Sequence, residues 1–304
     1  MMRDFIIGTW QLGGEGWSTA NINEAYEALG YSLDNGVTEL DTAPTYGSGK
    51  SEQLIGKILK ETSNNNVKII TKIPPNMMSK EKVIDSVKGS LDRLDVESVE
   101  TVLIHWPAGT MGTDLIDIKE TCEGLNIVRD SNLCKKIGIC NYEYDSLIEI
   151  EENIDIDVYQ YSYSPLFRGV ENKILTHVKK RGKEFQAYSP LSLGILTNNY
   201  NKSIFDCDDH RNHVVLFDEK VRKIVHEARE NIEKVIRLKD DIALAALSWV
   251  QKKGAIPIIG AHKIKYVKYF LENKYDLSNE QVNLIDNSTS LLKSILKKRI
   301  SLWG

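Results

Sequence analysis

The chain predicts an α/β fold in which eight short strands alternate with helices. Three observations predict it. The strands are mostly continuous apolar runs, as in parallel sheets covered on both faces, rather than apolar–polar alternations. Patterns of helical period lie between them. Nearly every strand ends, at its C-terminal side, in a polar or aromatic residue. The spacing alone fits a closed barrel and a doubly wound sheet equally well.

In order, the strands are expected at Phe5 to Trp10, Thr38 to Asp41, Val67 to Lys72, Val99 to His105, Lys136 to Asn141, Asp157 to Tyr161, Glu184 to Tyr188 and Ala255 to Gly260. Ile22 to Leu33 reads as a helix. So does Ser79 to Leu94, with Val83, Val87, Leu91 and Leu94 on one face. A long connection precedes the last strand. It holds a polar stretch, Thr197 to His213, and two helical segments, Asp218 to Leu238 and Asp241 to Lys252. A polar loop of that length in a compact domain marks function or mobility. Ser278, with Gln281 three residues on, begins a long C-terminal helix with a capping box. The terminal Trp303 is expected on a docked tail.

The 304 residues suffice for one large core, with 41% apolar and 27% charged residues and a net charge of -4. That balance argues against a nucleic-acid surface and gives no reason to expect a membrane surface. No run approaches the roughly 18 apolar residues of a membrane span. The N-terminal apolar stretch is too short for a signal peptide. Cys122, Cys134, Cys140 and Cys207 form no C-x-x-C pair and read as free thiols in a reducing cytoplasm.

The strand ends carry Trp10, Asp41, Lys72, His105, Asn141, Gln160, Tyr188 and Gly260. Eight ends of this kind favour one shared mouth, as in barrels whose sites sit at the C-terminal rim. Asp41, Lys72 and His105, with Tyr46, make a proton-transfer group. An ammonium beside a phenol lowers its pKa from the ordinary value of about 10. A carboxylate holds that ammonium in place, and a histidine can orient a carbonyl oxygen. These are the parts needed to protonate an oxygen while a hydride reaches carbon.

The segment DTAPTYGSGKSEQLIGKIL, Asp41 to Leu59, resembles the aldo-keto reductase signature. VKIITK ending in Lys72, SLDRLDVESVETVLIHWP from Ser90 to Pro107, GICNY, YQYSYSPLFR and QAYSPLSLGILT resemble further segments of that family in the same order. The resemblance runs from Gly8 to about Gly260. It implies a single (β/α)₈ TIM barrel over residues 1–304, with the active site at the C-terminal rim. It implies Tyr46 as general acid/base, Lys72 and Asp41 as its tuners, and His105 as the residue that orients the substrate carbonyl. Asn141 and Gln160 would bind the nicotinamide carboxamide, and Tyr188 would stack on the ring. Ser189, Leu191, Gly260 and Ala261 would hold the rest of the cofactor. Trp10 and Trp106, with Trp17, would line the substrate pocket. NADP(H) is expected as cofactor, NAD(H) less so. Lys263 and Lys265 are the candidates for its 2′-phosphate, while Lys268, about a turn on, would face solvent.

Departures from the family pattern are confined to particular places. Cys140 stands where the family has Ser. His262, Tyr266 and Phe270 occupy the positions of its basic, Gln/Arg and Asn residues. The N-terminus has little sequence for the usual hairpin under the barrel. GSGKS, Gly47 to Ser51, mimics the end of a P-loop, but Pro44 stands where the first glycine must be. DCDDHRNH, Asp206 to His213, has metal-like density in a loop, and no metal is expected there. Two other functions compete with a carbonyl reductase acting on small, sugar-derived molecules included. One is a cofactor-binding regulatory or scaffold subunit on the same fold, against which the intact tetrad argues. The other is a metal-dependent barrel hydrolase, which would need more strand-end histidines than His105.

Overall fold

The computed structural model describes residues 5–14, 21–62, 66–201, 204, 210–236, 242–260 and 262–303. Its eight strands are β1 (Ile6–Gly8), β2 (Glu39–Asp41), β3 (Lys68–Ile73), β4 (Val99–Ile104), β5 (Cys134–Cys140), β6 (Val158–Ser162), β7 (Glu184–Tyr188) and β8 (Ile256–Gly260). Each pairs in parallel with the next, and β8 returns to β1 with Gly8 opposite Gly260. The sheet is therefore a closed barrel, which resolves the choice that spacing left open.

Between the strands run α1 (Ile22–Asp34), α2 (Lys50–Thr62), α3 (Lys80–Leu94), α4 (Ile118–Asp130), α5 (Tyr144–Glu151) and α6 (Thr176–Lys180). After β7 come α7 (Glu219–Ile236) and α8 (Ile242–Lys252), and after β8 α9 (Ile264–Glu272), α10 (Asn279–Ser288) and α11 (Ser290–Leu296). The helices bury one stripe each: Ala25, Ala28, Leu29 and Leu33 of α1, and Val83, Val87, Leu91 and Leu94 of α3. Inside the barrel, Ile6, Ile70, Leu103, Cys140, Val158 and Ile258 form a separate apolar plug.

Four local readings change. Trp10 lies beyond β1, in a 3₁₀ turn over Trp10–Gly13. His105 and Asn141 each fall one residue past their strands, and β5 begins two residues early, at Cys134. The long C-terminal helix is broken at Thr289 into α10 and α11. The cause is a competing donor: the guanidinium of buried Arg168 takes the Asp286 carbonyl at 2.9 Å and the Thr289 hydroxyl at 3.1 Å. The capping box of Ser278 and Gln281 forms in both directions.

The tail docks as expected. The backbone of Val215 donates to the Leu302 carbonyl at 3.0 Å, and Leu302 N–H donates to Ser162 Oγ at 3.3 Å. Among the described residues no helix is long and apolar enough to cross a membrane.

Candidate active site

The strand ends and the loops beyond them enclose a cavity of about 1310 Å³ at the C-terminal mouth of the barrel. Asp41 closes β2, and Lys72 reaches it from β3. The Lys72 ammonium donates to Asp41 Oδ1 at 2.6 Å and to the Thr42 carbonyl at 2.8 Å, and lies 3.2 Å from the Tyr46 phenolic oxygen. Both members of the ion pair are nearly inaccessible to water. An unpaired charge here would be costly, and pairing plus the extra carbonyl makes the burial tolerable.

Tyr46 sits in the turn between β2 and α2. That turn needs glycine. Gly47 has φ +61°, and a Cβ on it would stand 2.2 Å from the Gly13 carbonyl oxygen. The close approach of Gly13 and Gly47 fixes where the phenol points. The ring of Trp10 lies 6.0 Å from that of Tyr46, nearly parallel to it.

The electrostatics differ from the sequence expectation. Burial pushes the Tyr46 phenol up to about 12, and the neighbouring Lys72 ammonium, although it pulls downward, does not overcome that. Burial would lower Lys72, but Asp41, together with Tyr46 and Cys140, outweighs it and holds the ammonium above its ordinary value. Burial, and after it the charge of Lys72, holds His105 well below the usual imidazole value, so its ring is neutral. The site thus presents a neutral phenol, a neutral imidazole and a charged ammonium. It can deliver a proton without first having to acquire one.

His105 packs edge-on to Tyr46 with ring centroids 5.9 Å apart, and its Nδ1 lies 3.5 Å from Thr45 Oγ1. Asn141 adopts a left-handed backbone, φ +60°, and its amide donates to the His105 carbonyl at 3.0 Å. The Tyr188 hydroxyl donates to Asn141 Oδ1 at 2.8 Å. Gln160 donates to Asp41 Oδ2 at 2.7 Å and to Gln186 Oε1 at 3.0 Å. Cys140, in place of the family's Ser, puts its sulfur 3.8 Å from Gln160 Oε1.

Trp10, Asp41, Tyr46, His105, Trp106, Asn141, Gln160, Tyr188, Ser189, Leu191, Gly260 and Lys265 all line the cavity. Lys72 is beneath it. A Cβ on Gly260 would stand 2.7 Å from the Gln11 side-chain amide, which would have to move aside. Lys263 is not brought to the wall. It holds the extended position before α9 and pairs with Glu24 of α1 at 3.3 Å. Ala261, Trp17, Cys207 and part of the stretch from Thr197 to His213 lie outside the described residues. Among the described residues no three His, Cys, Asp or Glu side chains are grouped to hold a metal.

Three sets of contacts at the site escaped the sequence. Trp303 meets Trp10 at 5.8 Å and Tyr188 at 5.9 Å, so the docked tail is part of the cavity. Asn198 and Asn199 donate to the Tyr269 and Tyr266 hydroxyls at 3.4 and 3.1 Å, tying the loop after β7 to α9. Gln186, one layer below, holds Gln160. The terminal Trp and the Asn pair were visible in the sequence, but nothing local assigned their partners.

A dinucleotide fits what is here. The cavity exceeds the roughly 300–1,000 Å³ of ordinary small-molecule pockets. Its wall carries the Tyr46 phenol, which the Lys72 ammonium meets from beneath, and the Tyr266 ring with Lys265 over it. Such a barrel, with a proton donor on the wall of a large cavity, fits a nicotinamide-dependent oxidoreductase. Residues 4–289 match the model of the aldo/keto reductase family, and the chain belongs to that family. It is 27% identical over 271 residues to aldo-keto reductase YhdN of Bacillus subtilis, covering 84% of this chain and 80% of that protein. It is 26% identical to the NADH-specific methylglyoxal reductase of Escherichia coli, covering 95% and 93%. An aldo-keto reductase from Klebsiella pneumoniae in complex with NADPH shares the fold at a TM-score of 0.70 and 19% identity, covering 100% of this chain and 99% of that one.

Proposed function

We propose that this chain reduces small aldehydes or ketones, sugar-derived ones included, with Tyr46 as the general acid and NADPH preferred to NADH. The observation that carries the reading is the buried contact of Lys72 with both Asp41 Oδ1 and the Tyr46 phenolic oxygen. A bound nicotinamide would supply the hydride to the carbonyl carbon. As charge develops on the carbonyl oxygen, Tyr46 gives it its proton, and the phenolate left behind is stabilised by the fixed ammonium of Lys72. Neutral His105 has one N–H to donate and would orient the same oxygen. Asp41 keeps Lys72 charged and aimed.

Asn141 and Gln160 would hold the carboxamide, and Tyr188 the ring face. Ser189, Leu191 and Gly260 also line the cavity, where the pyrophosphate would run. Trp10, Trp106 and Trp303 surround the space left for substrate. Lys265 on the cavity wall supports NADPH over NADH, since a 2′-phosphate needs a cationic donor.

The test is consumption of NADPH and of NADH against a panel of aldehydes, ketones and keto-sugars. Turnover that is faster with NADPH is expected. Cofactor bound without turnover of any carbonyl would favour the regulatory or scaffold role instead.

A further inference from the structure

Below the cavity floor, a line of side-chain hydrogen bonds continues toward the other end of the barrel. Asp41 Oδ2 accepts from Gln160 Nε2 at 2.7 Å, Gln160 Nε2 also donates to Gln186 Oε1 at 3.0 Å, and Gln186 Nε2 donates to Glu184 Oε1 at 2.7 Å. Glu184 in turn accepts from the Lys136 ammonium at 3.4 Å, and Lys136 also meets Glu100 at 3.7 Å. Gln160 and Gln186 face each other across paired strands and are both buried.

The direction of this line is fixed by its ends. A carboxylate can only accept, so Asp41 and Glu184 each require an amide N–H. With Glu184 taking its amide nitrogen, Gln186 must turn its oxygen to Gln160. Gln160 then spends both amide hydrogens, one on Asp41 and one on Gln186. Its own oxygen is left beside the weak donor Cys140, and both residues line the cavity. A wall that offers an amide oxygen accepts an N–H and repels a carbonyl.

We infer that Gln186, oriented by Glu184, is a positioning residue that locks Gln160 with its acceptor toward the nicotinamide carboxamide, so that the site reads the carboxamide's N–H. Neither Gln186 nor Glu184 lines the cavity. The inference rests on the cofactor reading proposed above. It adds that recognition is set from the layer beneath.

Three probes separate this role from general damage: NADPH, its 3-acetylpyridine analogue, which keeps the carbonyl and lacks the N–H, and adenosine 2′,5′-bisphosphate, which lacks the nicotinamide half altogether. Each is titrated by fluorescence into the wild type, Gln186→Met and Glu184→Gln. Gln186→Met keeps the volume and removes the acceptor. Glu184→Gln leaves every wall residue in place but removes the obligate acceptor that turns the Gln186 oxygen toward Gln160. Both variants are expected to bind NADPH about fivefold more weakly, the scale of one hydrogen bond, and to leave the bisphosphate unchanged. The preference for NADPH over the acetylpyridine analogue should shrink by a similar factor. Unchanged NADPH affinity in both variants, or equal loss for NADPH and the bisphosphate, overturns the inference. Wild type that binds the bisphosphate as tightly as NADPH, with no preference between the two dinucleotides, overturns the carboxamide reading as well.

Discussion

The Lys72 ammonium lies 3.2 Å from the Tyr46 phenolic oxygen, although one residue comes from a strand and the other from a turn 26 positions earlier. The contact makes a proton donor in which the phenol remains protonated and its conjugate base has a partner waiting.

Tyr46→Phe should abolish that donation and little else. The ring and its packing on Trp10 and His105 are retained, so cofactor affinity should stay within about twofold while kcat for carbonyl reduction falls by about 10²–10⁴, the usual contribution of a general acid. Stopped-flow reduction and fluorescence titration measure the two. Full turnover in this variant would remove Tyr46 from the mechanism.

The pH profile follows from the direction of the shifts. Because burial raises Tyr46 to about 12, its protonated form is present below that value and lost only as pH rises toward it. His105, held well below its ordinary value, stays neutral through the same range. Reduction should therefore have a flat kcat from about pH 6 to 9. A loss of rate across neutrality would mean that another group controls the step.

Lys265→Ala should weaken NADPH by about 1–3 kcal/mol, the range for hydrogen bonds to charged groups, and leave NADH almost unchanged. Lys263→Ala should change neither much, since Lys263 is already paired with Glu24 and is half-exposed. Measured affinities of both variants for both cofactors decide it. The reverse pattern would place the phosphate at Lys263, beside Glu24 of α1, instead.

Glu171 tests the frame rather than the chemistry. Its carboxylate meets Arg168 at 2.7 Å, Lys253 at 3.1 Å and Lys293 at 2.9 Å. These cations outweigh the burial that would raise it and bring its pKa from 4.5 down to about 2. Removing its charge with Glu171→Gln should cost about 2–4 kcal/mol at pH 7, because Lys293 loses this carboxylate and Arg168 and Lys253 are left to share Asp286. A depressed carboxylate contributes its stability above the unfolded value and loses it as pH falls through the folded one. Urea denaturation should thus show the gap between the two proteins constant above pH 5 and closing between about pH 4.5 and 2. A gap that ignores pH would mean that shape, not charge, is what Glu171 supplies.

The residues by themselves determined the eight strands, because buried parallel strands must be apolar throughout and helices must repeat every three to four residues. They also placed Asp41, Lys72, His105 and Gln160 at or beside strand ends, since chemistry at a barrel mouth is written where each apolar run stops. Tyr46 was legible through its grouping with Asp41, Lys72 and His105 and through the family resemblance. Closure of the sheet, which the family resemblance implied, was not legible from the spacing, because β8 meets β1 across nearly the whole chain and no local pattern encodes that pairing. Nor were the break at Thr289, the arrival of Trp303 beside Trp10, or the diversion of Lys263 to Glu24, each of which depends on a partner distant in sequence. The protonation of Tyr46 was misjudged for the same reason. A neighbouring lysine can be guessed from a sequence, but the desolvation that outweighs it is a property of the packed interior.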